Sequence, residues 1–270
     1  MFGPANSGKT VALLRLARYL DTVGMEIVPD VNFRSDAYYE HVLVPDFQKR
    51  LRDNQPDRPA NNTDPVFIAL DVWEKGNRDG RVCKFIEVPG EHLFEKDKQS
   101  NEQDLPTYIE EIFRHAARKV VLFMVPLPSP ESSEDGALSD SEFREFCDHV
   151  VRVIENKLNV AKDDFIFVIS KADMQRSKLK GAEKPNLSAF RRALLARDGF
   201  ARVEEALRNA NRNLIVIPYS AGTMHKSVPG KPDMLVYSNA AWPKALWNEI
   251  RSAINGASLG GAFKRWFGSR

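Results

Sequence analysis

The chain opens on a stretch whose residue types suit one task. Gly3-Pro4-Ala5-Asn6-Ser7-Gly8-Lys9-Thr10 fits G-x-x-x-x-G-K-[ST] at every fixed position. Glycines let successive backbone N–H groups turn inward around an anion. Asn6, Ser7, Gly8, Lys9, Thr10 and Val11 are therefore the candidate phosphate-binding residues. Lys9 would reach the β and γ phosphates of a nucleotide as a point charge, and the Thr10 hydroxyl would coordinate Mg²⁺. An apolar-periodic helix follows from Val11, and its N-terminus would face the same anion.

Such a loop needs a scaffold of strands and helices behind it. Helix-like and strand-like stretches alternate along the chain. Leu13 to Leu20 predicts a helix, Pro65 to Val72 and Val82 to Val88 predict strands, and Leu105 to Arg118 predicts a helix capped by Asp104. Lys119 to Val125 and Phe165 to Ile169 are nearly continuous apolar runs, as expected for strands covered on both faces. Ser139 to Leu158 predicts a long amphipathic helix, with Ser139 and Glu142 spaced as a capping box. Leu187 to Ala210 predicts a helix broken near Gly199, Leu214 to Pro218 a strand and Trp242 to Ile254 a last helix. This alternation predicts an α/β fold, a mostly parallel sheet with helices on both faces. Pro45 to Asp64, Pro128 to Asp140 and Gly222 to Asn239 read as long loops.

Composition bounds the class. Of 270 residues, 43 % are hydrophobic and 28 % charged, enough for a large core without metals or disulfides. Disordered, collagenous and disulfide-knotted chains are excluded. Lys plus Arg is 39 against 37 for Asp plus Glu, a net charge of +2. That balance argues against a broad basic face for polynucleotides. Cys83 and Cys147 form no CxxC pair and read as free thiols. No secretory leader pattern opens the chain, and its longest apolar run falls far short of the ~20 residues of a membrane span. The expectation is a cytoplasmic protein with no transmembrane segment.

Three further segments, taken in order with the first, resemble the P-loop GTPase superfamily. Ser170-Lys171-Ala172-Asp173 follows a strand as the family's [NT]-K-x-D does, with serine in the first place. Tyr219-Ser220-Ala221-Gly222 resembles the family's S-A-[KG] loop. Glu87-Val88-Pro89-Gly90-Glu91-His92 resembles D-x-x-G, with glutamate for aspartate. The resemblance spans residues 3 to 222. Within the superfamily the chain looks most like the translation-factor-related (TRAFAC) class, of the kind found in bacterial multi-component signalling or conflict systems.

The resemblance implies a three-layer P-loop NTPase fold over residues 1–256, with 257–270 as a basic, aromatic tail. It implies GTP/GDP and Mg²⁺ as ligands. Asp173 would take guanine N1–H and the exocyclic amine, Lys171 would pack along the ring, and Ser220 and Ala221 would approach O6. A carboxylate facing two donors suits guanine, because adenine presents an acceptor at N1. Glu87 would stand on the Mg²⁺ side and Gly90 would sense the γ phosphate. Thr63, ahead of a predicted strand, is the candidate second Mg²⁺ hydroxyl. Glu91 and His92 are the two candidates for orienting the attacking water, beside Lys9 as the catalytic charge. The implied activity is hydrolysis of GTP to GDP and phosphate by a molecular switch with effector or regulator proteins. Two other readings stay open: a nucleotide-holding scaffold that hydrolyses little, and a P-loop ATPase or kinase whose lid is the basic segment Arg176 to Lys184. A phosphate loop normally follows a buried central strand, yet only Met1 and Phe2 precede Gly3. The first strand is thus expected either to be truncated, in which case residues upstream should read as an apolar strand, or to be very short. The tail Phe263-Lys264-Arg265-Trp266-Phe267 suits either a packed terminus or a partner or membrane-surface contact.

Overall fold

A computed structural model of the chain describes residues 1–4, 7–29, 68–77, 79–88, 107–126, 138–157, 159, 162–172, 192, 194–212, 214–225, 234–237 and 239–255. In chain order these form α1 (Lys9–Thr22), β1 (Met25–Pro29), β2 (Ile68–Glu74), β3 (Arg81–Glu87), α2 (Thr107–Arg114), β4 (Val120–Pro126), α3 (Asp140–Asn156), β5 (Asp164–Ser170), α4 (Phe200–Asn209), β6 (Val216–Pro218), β7 (Gly222–His225), β8 (Met234–Tyr237) and α5 (Ala241–Ile254). The fold class is α/β.

The two apolar runs form the centre. β4 and β5 pair in parallel from Val120↔Asp164 to Pro126↔Ser170, and β6 pairs in parallel with β5. Alternate side chains leave opposite faces, so both faces need cover. Val121, Phe123 and Val125 join Phe165, Phe167 and Ile169 beneath α2, α3 and α4. The Phe167 ring meets Phe146 and Phe200 nearly edge-on, with centroids 5.9 and 5.0 Å apart. Leu122 and Met124 join Ile166 and Val168 beneath α1 and α5, where Leu13, Leu16, Leu246, Trp247 and Ile250 are buried.

Met1 and Phe2 occupy the slot that the sequence assigns to a central strand. Phe2 N–H donates to Leu122 O at 2.8 Å, and Met124 N–H donates to Phe2 O at 2.7 Å. On the other side Met1 N donates to Ile86 O at 2.6 Å, and Val88 N–H donates to Met1 O at 3.1 Å. Two residues thus bridge β3 to β4. Their side chains are buried, Met1 in the α1 cluster and Phe2 stacked on Phe113 at 5.3 Å.

Several elements differ from the sequence reading. The β1–β2–β3 sheet is antiparallel throughout, not parallel. A short connection accounts for the β2–β3 pair, where Gly76 at φ 81° closes the hairpin, and Gly24 at φ 82° turns α1 straight back into β1. β1 was not anticipated, because five residues ending in proline carry little strand signal by themselves. The expected loop Gly222 to Asn239 contains β7 and β8, paired antiparallel from Gly222↔Tyr237 to His225↔Met234. The helix expected to reach Arg118 ends at Arg114. There the Lys119 ammonium donates to the carbonyls of His115 and Ala117, satisfying backbone that the helix leaves open. Other expectations hold. The Ser139 hydroxyl accepts from Glu142 N–H, and the Glu142 carboxylate accepts from Ser139 N–H. Gly199 breaks its helix at φ 94°, where a Cβ would crowd Cys147 and Arg144 of α3 at 3.2–3.4 Å. The residues expected as the loops Pro45 to Asp64 and Pro128 to Ala137, and the tail from Gly256, lie outside the described residues, as do Asp104 and the segment Arg176 to Lys184.

Candidate functional site

The site lies at the carboxyl ends of the parallel strands, where open α/β sheets generally bind ligands. Its first part grows out of the Met1–Phe2 segment. Gly3 lies so close to β4 that a Cβ would fall 2.1 Å from Met124 O and 2.9 Å from the Ser7 hydroxyl. No other residue fits there without moving the strand. Ser7 N–H closes a turn onto Pro4 O at 3.3 Å. Gly8 then takes a left-handed conformation, φ 85° and ψ 21°, as the N-cap of α1. Its first turn carries no acidic residue, so its positive end is unopposed by its own side chains.

Lys9 is buried, and its ammonium donates to Gly3 O at 2.8 Å and Pro4 O at 2.9 Å. The charge is held over the loop itself. Thr10 Oγ1 donates to Glu87 Oε1 at 2.6 Å, joining the start of α1 to the end of β3 across 77 residues. Glu87 is buried, and burial raises its carboxyl above the ordinary value of 4.5. Lys9, the Thr10 hydroxyl and the Met1 amine pull in the opposite direction. Ser7 Oγ and Glu87 Oε2 are buried and find no hydrogen-bond partner among the described residues. Such orphaned groups are costly in a folded interior and are uncommon without a reason.

The second part lies after β5 and β6. Ser170 ends β5 with its hydroxyl buried and unpartnered among the described residues. Lys171 follows at φ 52°, a left-handed conformation that lysine seldom adopts. Such backbone concentrates at ligand sites. Ala172 N–H donates to Tyr219 O at 3.1 Å, which lays the 170–172 turn against the loop after β6. Ser220 is fully buried there and Ala221 is half-buried.

The structure therefore brings Ser7, Gly8, Lys9, Thr10, Val11 and Glu87 together, and Lys171 beside Ser220 and Ala221. Asn6, Thr63, Gly90, Glu91, His92 and Asp173 lie outside the described residues. Sequence reasoning gave no role to Tyr219, whose hydroxyl donates to Ala12 O of α1 at 3.1 Å. Its signal was a tyrosine in a buried run, since such a hydroxyl needs a partner.

One carboxylate and one hydroxyl suit Mg²⁺, which takes few protein ligands and completes its shell with phosphate oxygens and water. Among the described residues no three His, Cys, Asp or Glu side chains gather as a metal site. No helix among the described residues is long and apolar enough to cross a membrane. Neither the protein-family models nor the curated proteins compared with this sequence include a match to it.

Proposed function

We propose that the chain is a guanine-nucleotide-binding protein of P-loop type that hydrolyses GTP to GDP and phosphate and acts as a molecular switch. The observation that carries the reading is the Thr10–Glu87 hydrogen bond at 2.6 Å, which links the phosphate-loop motif to the D-x-x-G-like motif. The strand order around Met1–Phe2 and the helices on both faces support a three-layer P-loop fold.

In this reading Lys9 leaves Gly3 O and Pro4 O for the β and γ phosphate oxygens. The loop amides and the N-terminus of α1 face the same oxygens. Thr10, Glu87 and Thr63 are the residues that would hold Mg²⁺. When bound, the ion supplies positive charge against the phosphate oxygens. Gly90 N–H follows the γ phosphate. Glu91 or His92 orients water for in-line attack on the γ phosphorus. Asp173 accepts from guanine N1–H and the amine, Lys171 covers the ring, and Ser220 and Ala221 turn toward O6. Effector or regulator proteins would read the bound state, and no polynucleotide partner is proposed.

Single-turnover hydrolysis of GTP with Mg²⁺ tests this. Phosphate release that is lost in Lys9→Ala supports it. Bound GTP without phosphate release over hours opposes it and favours the second reading, a nucleotide-holding scaffold. Glu87, in the place of the family's aspartate, and Glu91, in the place of its water-orienting residue, are the features that favour that reading.

A further inference from the structure

Tyr219 sits between the two parts of the site. It is 1 % exposed and makes a bond in each of three directions. Its N–H donates to Ile169 O at 2.7 Å, at the end of β5. Its carbonyl accepts from Ala172 N–H at 3.1 Å, in the turn carrying Lys171. Its hydroxyl donates to Ala12 O at 3.1 Å, 207 residues away in the chain. Ala12 N–H in turn donates to Gly8 O at 2.9 Å, at the cap of the phosphate loop. A path of hydrogen bonds therefore runs from the Lys171 turn through Tyr219 and Ala12 to Gly8.

The hydroxyl is what makes this path specific. Phenylalanine would fill the same apolar space among the residues of the α1 face but would lack the hydroxyl that bonds α1. A carbonyl has two lone pairs, so Ala12 can accept from Tyr219 as well as within its helix.

We infer that Tyr219 is a positioning residue that sets the separation between the 170–172 and 220–221 loops and the phosphate loop. It touches no ligand. It makes a nucleotide engage both loops at once, so that base and phosphates bind as one unit rather than as two weak fragments. This rests on the guanine-nucleotide reading above.

The test is titration of the full chain and of Tyr219→Phe with GDP, with guanosine alone and with pyrophosphate alone, and of the wild-type chain with adenosine as well, in one Mg²⁺ buffer. The expected result is about tenfold weaker GDP binding in Tyr219→Phe, with each fragment changed less than about twofold. Equal GDP affinity in the two proteins overturns the proposal. An equal loss for all three ligands also overturns it, because that marks a general change in the fold. Wild-type protein that binds pyrophosphate but prefers guanosine no more than adenosine fails the guanine reading instead. A second measurement needs no variant. In wild-type protein, hydrogen exchange at Ala172 N–H should slow when pyrophosphate alone binds. Protection of the first turn of α1 with no change at Ala172 would overturn the coupling.

Discussion

The two ends of the parallel strands treat buried polar groups in opposite ways. At the amino end, Asp163 and Asp164 are both buried, and both are paired. Asp163 accepts from the N–H groups of Lys119 and Asn159 at 3.0 and 3.1 Å and from the Lys119 ammonium at 3.2 Å. Asp164 accepts from the guanidiniums of Arg118 at 2.5 Å and Arg212 at 3.4 Å. These contacts pin the starts of β4, β5 and β6 to one another. At the carboxyl end, Ser7 Oγ, Glu87 Oε2 and Ser170 Oγ are buried without partners among the described residues. Lys171 holds a left-handed backbone there, and Lys9 is parked on its own loop. One end is built for stability. The other keeps unmet hydrogen-bonding capacity, as sites that must bind something do.

The comparison can be broken from either side. The largest effect is expected from Lys9→Ala, which should weaken GDP binding by about 100-fold, near 2.7 kcal/mol. The melting temperature of the ligand-free protein should change little. Calorimetric titration beside a thermal melt reads both, and a large drop in melting temperature with intact affinity would reverse the assignment of the two ends. Asp164→Ala should do the opposite. It removes the acceptor of two guanidiniums and should cost about 2–3 kcal/mol of stability, with GDP affinity kept well below the melting point. That figure is discounted from a fully buried pair because Arg118 and Arg212 are 36 % and 26 % exposed. Denaturant unfolding measures it.

Smaller effects sharpen the contrast. Ser170→Ala replaces a buried hydroxyl that has no partner among the described residues with a methyl-sized side chain. It should raise stability by up to about 1 kcal/mol and weaken GDP binding by roughly fivefold. A loss of stability would mean that the hydroxyl has a structural role. Glu87 supplies a pH dependence. Its folded value is raised above 4.5, so its contribution is full below that pH and is lost as pH rises through the folded value. Ligand-free Glu87→Gln should show a flatter stability profile across that window than wild type. Identical profiles would remove Glu87 from the account.

Much of the scaffold was legible in the sequence, for identifiable reasons. The cores of β4 and β5, Val120–Val125 and Phe165–Ile169, are apolar without alternation, as strands covered on both sides require. The Ser139 and Glu142 spacing carried its own cap geometry. The G-x-x-x-x-G-K-[ST] motif is contiguous, so Gly3, Gly8, Lys9 and Thr10 could be named as candidates before their contacts were known. What could not be read depends on partners distant in sequence. β1 gains its identity from pairing Met25 with Glu74, and β7 from pairing across eight intervening residues, 226–233. Met1 and Phe2 form a strand position only because Ile86, Val88, Leu122 and Met124 supply its hydrogen bonds. The Tyr219–Ala12 link joins positions 207 residues apart, and no local pattern announces it. The Asp163–Asp164 clamp was likewise invisible, because adjacent aspartates ordinarily signal a solvated turn.

The central claim is that the carboxyl end of the sheet is a guanine-nucleotide site. Equilibrium binding of GTP and ATP to wild-type protein and to Asp173→Asn, in the same Mg²⁺ buffer, tests it most directly. The account predicts that wild type binds GTP at least about 100-fold more tightly than ATP and that Asp173→Asn abolishes the preference. Equal binding of the two nucleotides to wild type would contradict it.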